Sequence, residues 1–161
     1  MGLTELNQGI VMADLLDTEL DAILEGTSRS FYLSLKELPS GVRSQVGLLY
    51  LLARTSDTIA DSERGSAESR FVALEQYNEY AQGRSDLLPD LSELARLQRI
   101  DSERKLLESM PATVACIGRL SDSDQLHIRR CLDVIVGGQS LDLQRFFGAT
   151  EGKVVSLSED T

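Results

Sequence analysis

The sequence predicts an all-α protein, on three observations. Apolar residues recur at spacings of three and four through most of the chain, no segment stands out with a period of two, and only 3 prolines interrupt the pattern. Residues three and four apart share a helix face, whereas a strand alternates its faces residue by residue. The length of 161 residues suits a single helical domain, 1–161, with a real core.

The elements follow in order. Residues 1–16 carry a weak apolar pattern (Leu3, Leu6, Ile10, Val11, Leu15, Leu16) and read as a frayed N-terminal extension. A short helix from Asp17 to Leu24 is broken by Gly26 and Thr27, and a second starts near Ser28 and ends at Pro39. Ser40 is placed to cap a long central helix from about Gly41 to Ser62. Gly65 and Ser66 break the pattern, and a helix over Ala67–Gln82 follows. Short helices are expected over Leu91–Leu97, over Ser102–Met110, and from Pro111 to Leu120, since proline is tolerated at a first helical position. Ser121 and Asp124 resemble a capping box that opens a helix from Asp122 to about Phe147, ended by Gly148 and Gly152. Gly137–Gly138 in its middle costs about 1 kcal/mol per glycine against alanine, which suggests close approach of another helix or a ligand, or a kink.

Composition excludes several functions. The net charge of −10 argues against nucleic acid and against electrostatic docking on anionic lipid. A single histidine, His127, rules out a multi-histidine metal centre, and it reads as an ordinary surface or core residue. Cys116 and Cys131 lie in apolar helical patterns and read as packed thiols. The N-terminus has no basic region typical of a secretory signal, and the apolar run Val46–Ala53 is too short to span a bilayer. The expected location is cytoplasmic.

The central helix carries the chemistry. Tyr50, Arg54, Asp57 and Asp61 follow at steps of four, three and four, so they form one seam on a helix that is otherwise nearly all apolar. Buried carboxylates and a guanidinium are costly unless paired or liganded, so the seam is expected to face a cavity. Two aspartates four apart can share Mg²⁺, which takes one or two carboxylates together with substrate phosphates. Arg54 can hold a phosphate oxygen, and Arg29, flanked by Ser28 and Ser30, offers a second clamp. The set suits an allylic diphosphate, with metal and arginines drawing off the leaving group. On spacing alone, however, D-x-x-x-D is most often a solvated helix face.

The combination of residues goes further. Ser28-Arg29-Ser30-Phe31, Leu38-Pro39, Arg43, Tyr50 and Arg54-x-x-Asp57-Thr58-x-x-Asp61 resemble the squalene/phytoene synthase family, as do Gly138-Gln139-Ser140-Leu141-Asp142-Leu143, where Gln139 replaces a common Met. The resemblance implies an isoprenoid synthase-type helical bundle around a central cavity. It implies Mg²⁺-dependent head-to-head condensation of two prenyl diphosphates, farnesyl or geranylgeranyl, through a cyclopropyl intermediate, with NADPH used where the product is squalene. By matching position, Asp57 and Asp61 would bind metal, Arg29 and Arg54 diphosphate, with Ser28 and Ser30 beside them, and Tyr50 would line the reaction centre. A hydrocarbon product leaves room for peripheral membrane contact on release. The family's second aspartate-rich helix has no counterpart here, and Asp142 reads as a surface or capping residue. The chain is therefore expected to be the N-terminal half of the bundle, its apolar walls uncovered, needing the C-terminal half or a partner chain. Two alternatives stay open: a non-catalytic subunit that binds isoprenoid diphosphate, and a plain helical interaction domain.

Overall fold

The computed structural model describes residue 16, residues 18–61 and residues 66–150, and over these the chain is all-helical with no strand. Eight α-helices follow in order: α1 Thr18–Thr27, α2 Arg29–Leu35, α3 Ser40–Ala60, α4 Ala67–Ala81, α5 Ser92–Arg96, α6 Asp101–Glu108, α7 Met110–Ala115 and α8 Asp122–Thr150. A 3₁₀ turn, Cys116–Arg119, continues α7. The expected extension before residue 16, the break near Gly65 and the stretch 151–161 lie outside the described residues.

α3 lies at the centre, in contact with α2, α4, α6, α7 and α8. Its buried face is Leu48, Leu51, Leu52, Thr55 and Ile59, at the three-four spacing that makes one helical stripe. Thr55 donates to the Leu51 carbonyl at 2.8 Å and Ser56 to that of Ala53 at 2.7 Å, so two buried hydroxyls are satisfied within their own helix. Against α3 pack Leu16, Leu24 and Leu35. They close over Gly47, where an added Cβ would lie 3.3 Å from Leu24 Cδ2 and 3.4 Å from Leu16 Cδ1.

Polar contacts set how the outer helices sit. Tyr77 on α4 is fully buried and donates its hydroxyl to the Leu52 carbonyl on α3 at 2.8 Å. α4 and α8 are joined by Asn78 to Asp133 at 2.9 Å, by Gln82 to the Arg129 carbonyl at 2.7 Å and by Ser140 to Glu75 at 2.7 Å. α4 ends in a Schellman turn: Arg84 N–H donates to the Glu79 carbonyl, Gly83 N–H to that of Tyr80, and Gly83 takes φ +78°, which glycine adopts without steric cost. Arg43 is spent on the backbone, donating to the carbonyls of Leu35, Lys36 and Leu38 where α2 ends.

The structure corrects several expectations. α3 starts at Ser40 itself, after Pro39, with no side-chain cap. α8 runs through Gly148 to Thr150, because nothing in a single glycine forbids helix, and packing along α3 and α4 holds most of its length. Gly137 and Gly138 are exposed and meet nothing within 4 Å, so the pair marks no close approach among the described residues. Cys116 is buried as expected, but Cys131 is exposed. Val134 and Leu141 are exposed on α8, beside the glycine pair. Among the described residues no helix is long and apolar enough to cross a membrane.

Two stability outcomes follow. Tyr77→Phe is expected to cost about 1 kcal/mol, the loss of one buried hydrogen bond, and to lower Tm by roughly 2–4 °C in thermal unfolding. Gly137→Ala is expected to stabilise by about 1 kcal/mol in denaturant titration, since the helix gains a better former and the new methyl meets open space.

Candidate functional site

α3 places Tyr50, Arg54 and Asp57 along one line, with Asp61 just past its last residue and joined to it by the Asp61 N–H on the Asp57 carbonyl at 2.8 Å. Each member of the seam has a partner of different chemistry. The Tyr50 ring stacks on Phe31 of α2, centroids 4.3 Å apart and planes 23° apart. This stack is what ties α2 to the seam.

Arg54 reaches across to α6, where its Nη2 donates to Glu103 Oε2 at 2.7 Å. The other carboxylate oxygen, Oε1, accepts from the hydroxyl of Thr58, one turn further along α3. Glu103 is only 7% exposed, and these two bonds satisfy both of its oxygens. Burial works against the Arg54 charge, but the hydrogen bond and the negative charge of Glu103 outweigh it and raise its pKa further. Arg54 is therefore a permanent cation.

Asp57 turns to α8. It accepts from Gln139 Nε2 at Oδ1 and is half-buried between the two helices. Its pKa is raised, first by burial and then by the charge of Asp61, against the opposing pull of Arg54 and Gln139. Asp61 is exposed, and it lines a cleft of about 230 Å³ with Ala60, Arg70, Gln139, Asp142 and Leu143. Arg70 donates from Nη1 to the Ala60 carbonyl at 2.7 Å, near the end of α3. Asp142 keeps its surface character and sits 4.0 Å from Arg145, yet it forms one wall of this cleft.

The α2 residues stand apart from this arrangement. Ser28 caps α2, its hydroxyl accepting from Phe31 N–H at 3.3 Å. Arg29 is 72% exposed and pairs with Glu25 at 3.2 Å. Ser30 is exposed, and its carbonyl accepts from Ser34. The structure thus brings Tyr50, Arg54, Asp57 and Asp61 together and leaves Ser28, Arg29 and Ser30 occupied locally on the neighbouring helix.

The sequence reading missed Glu103. An acid in the first turn of a short helix looks like ordinary complementation of the helix dipole, and nothing local separates it from Asp101 beside it. The one available signal is that the α3 seam contains a guanidinium that needs a counter-charge. Gln139 was noted as an exception to a motif, and its partner on α3 emerged only from the packing of α8.

The residues fit a magnesium ion in part. Among the described residues no three His, Cys, Asp or Glu groups cluster closely enough to hold a metal by themselves. Asp57 and Asp61, however, offer two carboxylates at one end of α3, and Mg²⁺ completes its shell with water and substrate phosphate. Gln139 Oε1, buried without a hydrogen-bond partner, adds an oxygen beside them.

No curated protein and no solved structure matches the chain. The family described as squalene/phytoene synthase matches residues 24–155, a span that holds the whole seam, Glu103 and Gln139. That family has the isoprenoid synthase helical fold, its members are prenyltransferases that bind prenyl diphosphates, and they are generally Mg²⁺-dependent. With most of its length matched and no secondary structure but helix among its described residues, the chain belongs to the squalene/phytoene synthase family.

Proposed function

We propose that this protein is a magnesium-dependent prenyltransferase that condenses two prenyl diphosphates, farnesyl or geranylgeranyl, head to head. The observation that carries the reading is the seam on α3: a guanidinium held in place one turn before a half-buried carboxylate, with a second carboxylate opening on a cleft. Arg54 binds a diphosphate oxygen and favours charge building on the leaving group. Asp57, held by Gln139, and Asp61 hold the metal, which when bound neutralises the diphosphate and assists its departure. Tyr50, fixed by its stack on Phe31, presents a π face that steadies positive charge on the prenyl chain. Arg29, exposed on α2, is the second diphosphate contact, with Ser28 and Ser30 beside it. NADPH enters only where the product is squalene.

A second reading has its own support. Asp61 is exposed and, among the described residues, no third His, Cys, Asp or Glu clusters closely enough with this pair to hold a metal, which suits a helical subunit that binds isoprenoid diphosphate and needs further chain, its own or a partner's, to complete the site.

Incubation with farnesyl or geranylgeranyl diphosphate and Mg²⁺, with and without NADPH, followed by identification of the hydrocarbon, separates the two. A C30 or C40 hydrocarbon supports the enzyme; binding without product supports the subunit; neither rejects both. In the active protein, Asp57→Ala and Asp61→Ala are each expected to lower turnover by roughly two orders of magnitude or more, and unchanged turnover in both removes the metal assignment.

Asp57→Asn carries a second, independent expectation. The native pKa of Asp57 is raised, so its ionised form disfavours the fold: that group contributes stability below its ordinary pKa and loses it as pH rises through the native value. Asn still accepts from Gln139 and carries no charge. In metal-free buffer at neutral pH, Asp57→Asn should therefore melt above the wild type, and the gap should close as pH falls through the carboxylate range.

A further inference from the structure

The seam leaves one buried charge without a role in the chemistry. Glu103 comes from a different helix, 49 residues along the chain from Arg54, and gives both its oxygens to α3 side chains one turn apart. We propose that Glu103 is a positioning residue for Arg54, holding the guanidinium in one orientation so that its remaining Nη hydrogens meet the substrate diphosphate. The proposal rests on the function given above.

The form of the contact argues for positioning rather than stabilisation. An arginine–carboxylate pair built for strength is bidentate, with two parallel N–H···O bonds. Here the pair is single: Glu103 takes one Nη2 hydrogen from Arg54 and gives its second oxygen to Thr58. Thr58 fixes the plane of the carboxylate, and the carboxylate fixes the arginine. A guanidinium has five N–H donors; this contact uses one, Nε–H is buried without a partner, and the other Nη hydrogens are left for a ligand. The Arg54 side chain remains 37% exposed while the Glu103 side chain is 9% exposed, so the acid lies inside and the cation is partly open to solvent. A buried ion pair is a poor source of stability, because its desolvation offsets most of its attraction. A long, rotamer-rich side chain loses freedom when it grips a ligand, and an arginine ordered beforehand loses less.

The test compares the wild type with Glu103→Met, which keeps the volume and removes the acceptor, and with Glu103→Gln, which can still accept from Arg54 and donate to Thr58. Circular dichroism checks that each folds. ¹⁵N relaxation of the Arg54 Nε–H reads its order without any ligand, and calorimetry with Mg²⁺ and inorganic diphosphate reads affinity. Arg54 is expected to be ordered in the wild type and in Glu103→Gln, and mobile in Glu103→Met. Diphosphate affinity is expected to fall about tenfold in Glu103→Met, to stay within about twofold in Glu103→Gln, and to be insensitive to Glu103→Met once Arg54 is itself replaced by Met. Equal Arg54 order in wild type and Glu103→Met overturns the proposal, as does a loss of affinity that persists without Arg54. Absence of diphosphate binding in the wild type, with Arg54 still ordered by Glu103, rejects the functional reading and leaves the positioning role standing.

Discussion

A carboxylate taken out of water has to find donors inside the protein, and in this chain Glu103 finds them on α3. That requirement sets more than one side chain. It draws α6 against α3 at the level of Arg54 and Thr58, and it fixes the direction of the one cation in the α3 seam. Leu106 and Leu107 of α6 are buried beside Glu103 in sequence, but hydrophobic burial is not directional and does not choose an azimuth for a guanidinium. The charged pair does.

The same division of labour recurs where α8 meets α3. Leu132, Val136 and Leu143 of α8 supply buried area, while Gln139 sets where Asp57 points and Ser140 and Asp133 tie α8 to α4. The seam is therefore braced from two helices by contacts of opposite sense: an acid holding a base on one side, an amide donor holding an acid on the other. Asp57 lies between its own arginine and a second acid, and burial leaves its proton harder to remove than usual. Under the proposed function such a site would gain from a cation, a common compromise where stability and function compete for the same residue.

Much of this was legible beforehand, for identifiable reasons. Helix α3 declared itself through uninterrupted three-four spacing and the absence of Pro, and its seam followed from the same geometry. Ser28 and Ser66 cap the helices that follow them, each hydroxyl accepting from a backbone N–H that has no partner inside the helix. The expectations that failed were those about what lies opposite a residue. Gly137–Gly138 looked like a place of close approach and proved open, and Cys131 lay in an apolar pattern yet faces outward.

The amino-acid sequence by itself determined the helical class, the order of the elements, the family, and the line of Tyr50, Arg54, Asp57 and Asp61 along one helix, because periodicity and local spacing are properties of the chain alone. Only the tertiary structure decided that Arg54 is held by Glu103, that Asp57 is held by Gln139, and that Asp61 opens on a cleft shared with Asp142. Those pairings join residues dozens of positions apart, and which of many similar acids and amides meets the seam depends on the angles at which α6 and α8 pack. No local pattern encodes those angles; the fit of whole helix faces does.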